Sequence, residues 1–129
     1  ITTRALFPNT RMFGAEPKGA DDAARSLEAG ELLPQTGPDT ICDGLLTSMG
    51  EHTWPIIRDH LEEIITVSDE EVVEARRLLL KHLGMVVEPS GAASLAAVLK
   101  PECRALEGRM DRVGVILSGG NVDPGLVEF

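Results

Sequence analysis

The feature that most constrains the fold is a short apolar run that leads directly into two glycines. Residues 113–117 are all apolar or glycine, and Ser118, Gly119 and Gly120 follow at once. A run of this kind is typical of a buried strand of a parallel sheet that ends in a tight loop. Ligands of open α/β sheets bind at the carboxyl ends of strands, and glycine lets the backbone approach a ligand closely. The pattern therefore predicts either a ligand-binding loop, with the Ser118 hydroxyl at its mouth, or a purely structural turn.

Signals for helices and strands alternate along the whole chain. Apolar residues at helical spacing and short β-branched runs are separated by Pro, Gly and acidic residues. We predict strands over residues 11–15, 64–67, 85–87 and 112–117, and helices over residues 21–29, 54–61, 69–83 and 90–99, after a first helix that ends by residue 7. Such alternation predicts an α/β fold: a three-layer, twisted, mostly parallel sheet with helices on both faces.

The helix over residues 69–83 carries the clearest boundary signals. Ser68 followed by Glu71 predicts a capping box at its start, and Gly84 predicts a left-handed residue after its end. Thr53 is the expected N-cap of the preceding helix, which carries a proline in its first turn.

Composition and charge limit the classes of partner. The chain has 129 residues, of which 43% are hydrophobic, and a formal net charge of -9. Such a charge argues against nucleic acid and against anionic membrane surfaces as partners. We find neither an apolar run of membrane-spanning length nor a signal-peptide pattern. Cys42 and Cys103 lack the close spacing of a metal site, so we expect reduced thiols of a cytoplasmic protein, with a disulfide between them as the alternative.

Glu16, Ala20 and Asp22 form a second candidate site. Two carboxylates and a backbone carbonyl within seven residues can converge on one hard cation, because Mg²⁺ and Ca²⁺ take oxygen ligands. The alternative is that Asp21 and Asp22 only complement the positive end of a helix dipole.

Five short motifs in one order give the chain a family resemblance. They occupy residues 16–22, 43–44, 53–59, 88–93 and 118–123. Together they resemble the carboxyl-terminal part of the serine racemase / threonine dehydratase family, which are pyridoxal-phosphate (PLP) enzymes of fold type II. The resemblance covers nearly the whole chain, and it implies that residues 1–129 form the carboxyl-terminal part of the PLP-binding large domain. The Schiff-base lysine, the phosphate-binding loop and the small domain of that family are absent from these residues.

The resemblance also implies residue roles around the cofactor. Ser118 would hydrogen-bond the pyridine nitrogen of PLP, Gly119 would let the backbone approach the cofactor, and Glu88 would face the cofactor or close a buried polar pair. Asp43 would lie near bound substrate, although an Asp-Gly pair also forms ordinary turns. Asn121 matches a nucleotide-contacting position of some members, but a lysine that accompanies it falls where this chain has Gly84.

The resemblance assigns a cation as well, with Glu16, the Ala20 carbonyl and Asp22 holding Mg²⁺, Mn²⁺ or Ca²⁺. The implied whole enzyme is a PLP-dependent serine racemase with serine/threonine dehydratase activity, acting on L-serine, D-serine and L-threonine as a homodimer in the cytoplasm. We expect these residues alone to be inactive. Threonine dehydratase proper is one alternative, and a non-catalytic α/β module that binds a metal or small ligand is another.

Overall fold

A computed structural model describes residues 1–104, 112–120 and 122. Within these ranges, two strands and six α-helices follow one another along the chain, with a short 3₁₀ turn at Asp43–Leu45. They are α1 (Thr2–Leu6), β1 (Phe13–Pro17), α2 (Asp22–Ala29), α3 (Trp54–His60), β2 (Glu63–Val67), α4 (Asp69–Leu83), α5 (Pro89–Leu99) and α6 (Pro101–Arg104). The predicted helices therefore form within one residue of their expected ends.

The two strands pair in parallel, as expected for an α/β fold. Their register joins Phe13 to Glu63 at one end and Pro17 to Val67 at the other. Helix α5 packs against both strands, and α2 packs against β2. The α/β class predicted from the alternation of elements is confirmed, and the described residues contribute two strands to the sheet.

Helix α4 begins and ends where the sequence predicts. The Ser68 hydroxyl accepts a hydrogen bond from the Glu71 amide at 3.3 Å, and the Glu71 carboxylate accepts one from the Ser68 amide at 2.7 Å. Gly84 ends the helix with a φ of 64°, in the left-handed region that favours glycine. Both ends are thus set by local chemistry.

The core lies between α4, α5 and the sheet. Small side chains on α5 allow it to approach α4 closely, since four of its alanines are almost fully buried. The fully or nearly fully buried apolar residues of this cluster are Cys42, Val67, Val72, Ala75, Leu79, Val87, Ala92, Ala93, Ala96 and Ala97. Burial of such side chains stabilises the fold by roughly 25 cal/mol per Å² of apolar surface.

Two predicted strands do not form, which corrects the sequence-based expectation for residues 85–87 and 112–117. The backbone of residues 85–87 forms hydrogen bonds with α4 instead. The Met85 amide donates to the Leu79 carbonyl, and the Val87 carbonyl accepts from the Arg76 Nε at 2.9 Å. Residues 112–117 pair with no strand among the described residues.

A third correction concerns a helix cap. Thr53 occupies the N-cap position of α3, but its side chain makes no capping bond. Its hydroxyl donates instead to the Gly50 carbonyl at 2.9 Å. The threonine therefore closes the turn that precedes the helix.

Neither Cys42 nor Cys103 forms a disulfide, so the disulfide alternative is wrong for this structure. Cys42 is buried, and burial raises the pKa of its thiol. Across the part of the chain that the structure describes, every helix is too short or too polar to cross a membrane.

Candidate functional site at the start of helix α5

The first two turns of α5 hold the glycine loop that the sequence singled out. The Glu88 amide donates to the Gly119 carbonyl at 2.9 Å, and the Ser94 hydroxyl donates to the Ile116 carbonyl at 2.6 Å. The accepting carbonyls are three residues apart, so the two bonds hold the stretch that contains Ser118 against the helix. The loop is thus positioned by a rigid element.

Glycine is required at the closest approach between helix and loop. A Cβ atom at Gly91 would overlap the Ser118 carbonyl oxygen and lie 2.7 Å from its carbonyl carbon. Gly119 has a φ of 70°, and a Cβ atom there would overlap the Glu88 side chain. A side chain at either glycine would therefore push the Ser118 loop away from α5.

A second loop meets the same end of α5. The Gly44 amide donates to the Ser90 hydroxyl at 3.0 Å and to the Asp43 carboxylate at 2.9 Å. Earlier in the same loop, the Thr40 hydroxyl donates to Asp69 at the start of α4 at 2.5 Å. This bond anchors the loop from the other side. Asp43 and Ser118 therefore lie on two loops that converge on one helix start, and both side chains are exposed.

The exposed Ser118 hydroxyl suits the ring nitrogen of PLP. Ser118 can donate or accept through its hydroxyl, and a Cβ atom at Gly120 would meet nothing within 4 Å. The open space at Gly120 leaves room for a flat ligand beside Ser118. Lys100 follows the far end of α5, where its Nζ donates to the Thr66 carbonyl at 3.1 Å.

The predicted metal ligands place a half-buried carboxylate, Glu16, and a buried one, Asp22, at the start of α2. Glu16 accepts from the Ala23 amide at 3.3 Å and from the Ala24 amide at 2.9 Å, so it binds the free N–H groups of the first turn. Asp22 is 2% exposed and accepts from the Met49 amide at 2.8 Å. Both carboxylates thus already accept backbone hydrogen bonds.

The electrostatics of this pair follow from burial. Burial raises the pKa of the Glu16 carboxyl, the hydrogen bond from Ala24 opposes that shift, and the neighbouring charge of Asp22 adds to it. Ala20 is 1% exposed, and its amide donates to the Pro17 carbonyl at 2.9 Å. Within the described ranges, no group of three or more His, Cys, Asp or Glu side chains is arranged to hold a metal ion.

Sequence reasoning missed the side chains that place the loops. Ser90, Gly91 and Ser94 lie in a stretch of small residues that was not predicted to contact either loop. The serines instead bond the two loops, and Gly91 touches the Ser118 carbonyl. Ser90 and Gly91 lie in the first turn of a helix that begins with Pro89, and that position was the available signal. Asn121, the predicted nucleotide contact, lies outside the described residues.

Comparison with known proteins places this geometry in a family. A family model described as "pyridoxal-phosphate dependent enzyme" matches residues 1–119. The β-hydroxyaspartate dehydratase of Paracoccus denitrificans is 48% identical over 124 residues, which cover 95% of this chain and 38% of the relative. A serine racemase of Arabidopsis thaliana is 42% identical over 131 residues, which cover 97% of this chain and 38% of the relative.

A solved structure agrees with these relatives. The structure of maize serine racemase matches with a TM-score of 0.90 and 42% identity, covering 95% of this chain and 39% of that chain. The chain thus spans 38–39% of the length of these similar proteins. Since the family model matches 119 of the 129 residues, the chain belongs to the pyridoxal-phosphate-dependent enzymes, with the α/β architecture of fold type II.

Proposed function

We propose that this chain is part of a serine racemase that also dehydrates serine and threonine. The observation that carries the proposal is the exposed Ser118, held at the start of α5 by the bonds to Gly119 and Ile116. Its loop faces the loop of Asp43, so a cofactor bound by Ser118 would have its amino-acid substrate within reach of a carboxylate. The similarity to a serine racemase and to a β-hydroxyaspartate dehydratase supports the same reaction class.

Ser118 would set the electronic character of the site. PLP, when bound, withdraws electrons from the α-carbon of an amino acid. The Ser118 hydroxyl would hold the ring nitrogen without fixing a proton on it, as a carboxylate at that place would do. A weaker electron sink favours rapid loss of the β-hydroxyl or rapid return of the α-proton. Ser118 therefore suits both dehydration and racemisation.

Substitution of Ser118 tests the role of its hydroxyl. Ser118→Ala removes one hydrogen bond that bound PLP would cover, which is worth about 1–3 kcal/mol and corresponds to about a 5- to 150-fold weaker affinity for PLP. Equilibrium dialysis of the natural protein against PLP measures this directly and does not depend on turnover. Ser94→Ala, which loses the bond from the Ser94 hydroxyl to the Ile116 carbonyl, is the control for a general disturbance of the loop. Unchanged PLP affinity in Ser118→Ala would contradict contact with the ring.

Product analysis distinguishes the substrates. Dehydration of L-serine gives pyruvate and ammonia, dehydration of L-threonine gives 2-oxobutanoate and ammonia, and racemisation gives D-serine. The 48% identity with a β-hydroxyaspartate dehydratase makes β-hydroxyaspartate a second candidate substrate. Turnover of L-serine to both pyruvate and D-serine supports the racemase. Activity on L-threonine or β-hydroxyaspartate alone would replace it by a dedicated dehydratase.

We also propose a divalent cation, Mg²⁺ or in its place Mn²⁺ or Ca²⁺, at Glu16, the Ala20 carbonyl and Asp22. The close carboxylate pair supports this, since the charge of Asp22 acts on Glu16, and each carboxylate oxygen keeps a second lone pair for a cation. Bound cation would raise thermal stability by mass action. Titration calorimetry with Mg²⁺ should therefore show binding that Asp22→Asn weakens. Equal affinity in that variant would place the cation elsewhere.

We propose a homodimer in the cytoplasm for the whole protein. Two apolar side chains at and just after the end of α4 are exposed, Leu83 at 62% and Met85 at 41%, and a subunit interface would cover them. Cys42 and Cys103 form no disulfide, which suits a reducing compartment. Light scattering after size exclusion should give twice the subunit mass, and a monomer would contradict the proposal.

A further inference from the structure

A buried arginine on α4 lies beside the backbone that leads into α5. Arg76 is 8% exposed, whereas its neighbour Arg77 is exposed and forms an ion pair with Glu74. An arginine is rarely buried unless its guanidinium group is hydrogen-bonded. The Arg76 Nε donates to the Val87 carbonyl at 2.9 Å. The burial of this charge is therefore tied to the connection between the two helices.

The Val87 carbonyl and the Glu88 amide belong to one peptide group. That group is planar and trans, so its C=O and its N–H point in opposite directions. Its C=O accepts from the Arg76 Nε, and its N–H donates to the Gly119 carbonyl at 2.9 Å. One rigid peptide group thus bridges the arginine of α4 and the loop that carries Ser118.

The two hydrogen bonds of this peptide group depend on each other. Val87 is 4% exposed, and a buried carbonyl that loses its partner costs free energy, so without Arg76 the group would turn toward another donor. Because the group is rigid, the same rotation would take the Glu88 amide away from Gly119. A cationic donor on the C=O also polarises the group and makes its N–H a stronger donor.

We infer that Arg76 is a positioning residue for the Ser118 loop. Its guanidinium group fixes the peptide group between Val87 and Glu88, and the Glu88 amide in turn holds the Gly119 carbonyl directly after Ser118. The effect on the loop follows from these two bonds alone. The consequence for PLP rests on the proposed contact between Ser118 and the cofactor.

Two substitutions of similar length separate hydrogen bonding from packing. Arg76→Gln keeps an N–H donor at the ε position of the side chain, whereas Arg76→Met places a methyl group there. Both variants lose the terminal amino groups of the guanidinium together with their contacts, so the difference between them isolates the bond to Val87. If Arg76 served only to pack the core, methionine would fill the buried position at least as well as glutamine.

Hydrogen exchange of the Glu88 amide in the PLP-free whole protein is the first readout. This amide should exchange at least about tenfold faster in Arg76→Met than in Arg76→Gln, because its bond to Gly119 opens more often. The ratio to the Leu79 amide within α4 corrects for a difference in overall stability. Arg77→Met, at the exposed neighbouring position, is the matched control and should leave the Glu88 amide unchanged. Equal exchange in the two Arg76 variants would overturn the inference.

Affinity for PLP, measured by equilibrium dialysis, is the second readout. It should be at least about fivefold weaker in Arg76→Met than in Arg76→Gln, because Ser118 moves with the loop. Equal affinity in these two variants, with weakened binding in Ser118→Ala, would overturn the positioning of Ser118 by Arg76. If Ser118→Ala binds PLP normally, the proposed function fails, and the exchange of the Glu88 amide still decides the inference.

Discussion

Gly91→Ala probes the contact that holds the candidate site together. The new methyl group would overlap the Ser118 carbonyl oxygen and lie 2.7 Å from its carbon and 2.9 Å from Val87 Cγ1, whereas ordinary contact begins at 3.4 Å. The neighbour on one side is backbone, which cannot rotate away as a flexible side chain can. The loop must therefore move away from α5, and its bond from the Glu88 amide to the Gly119 carbonyl must lengthen or break.

Two opposing effects set the magnitude for Gly91→Ala. Alanine is favoured over glycine inside a helix by up to about 1 kcal/mol, and less than this applies in a first turn. Overpacking of a tight contact costs about 1–3 kcal/mol, and loss of the loop hydrogen bond adds about 1 kcal/mol. The steric terms win, so we expect a net destabilisation of about 1–3 kcal/mol.

Urea unfolding of the natural protein and of the Gly91→Ala variant measures this difference. Gly120→Ala is the matched control, since a methyl group there would meet no atom within 4 Å. The clash involves the backbone of Ser118, so a Ser118→Ala background should not relieve it. Affinity for PLP should fall together with stability, because Ser118 moves with the loop. Equal or higher stability of the Gly91→Ala variant would refute the close approach of helix and loop.

Three further predictions concern local features. Gly119→Ala should lower the free energy of unfolding for two reasons: the residue has a positive φ, and the new methyl group overlaps the Glu88 side chain. Adding Glu88→Ala should remove the overlap and restore only that part of the lost stability. Urea unfolding of the double-mutant cycle measures this, and full restoration would contradict the strained φ. Because the folded pKa of Glu16 is raised, its contribution to stability is complete at low pH and is lost as pH rises through that pKa. The free energy of unfolding of Glu16→Gln, measured in EDTA, should therefore depend less on pH around that pKa than that of the natural protein. An unaltered dependence on pH would argue against the raised pKa of Glu16. Cys42 is fully buried with a raised pKa, so mass spectrometry should find it alkylated by iodoacetamide only in urea; labelling of the folded protein would contradict its burial.

Local chemistry in the sequence determined the elements. The boundaries of α4 follow from Ser68, Glu71 and Gly84, because capping bonds and a left-handed glycine involve only residues near in sequence. The short β-branched run of β2 and the parallel α/β class also follow from the pattern alone. The five motifs in order indicated the PLP-dependent family, which the comparisons confirm.

Only the tertiary structure decided which groups meet. A strand needs a partner as well as a pattern: residues 113–117 have the composition of a buried strand, yet they lie beside an open groove. Glu16 and Asp22 are close in the sequence, but the structure shows that helix and loop amides already bind them. Likewise, the sequence does not indicate that Gly91 lies against the Ser118 carbonyl, which leaves no space for a side chain there. Long-range contacts of this kind depend on how separate elements dock, which no short window of sequence contains.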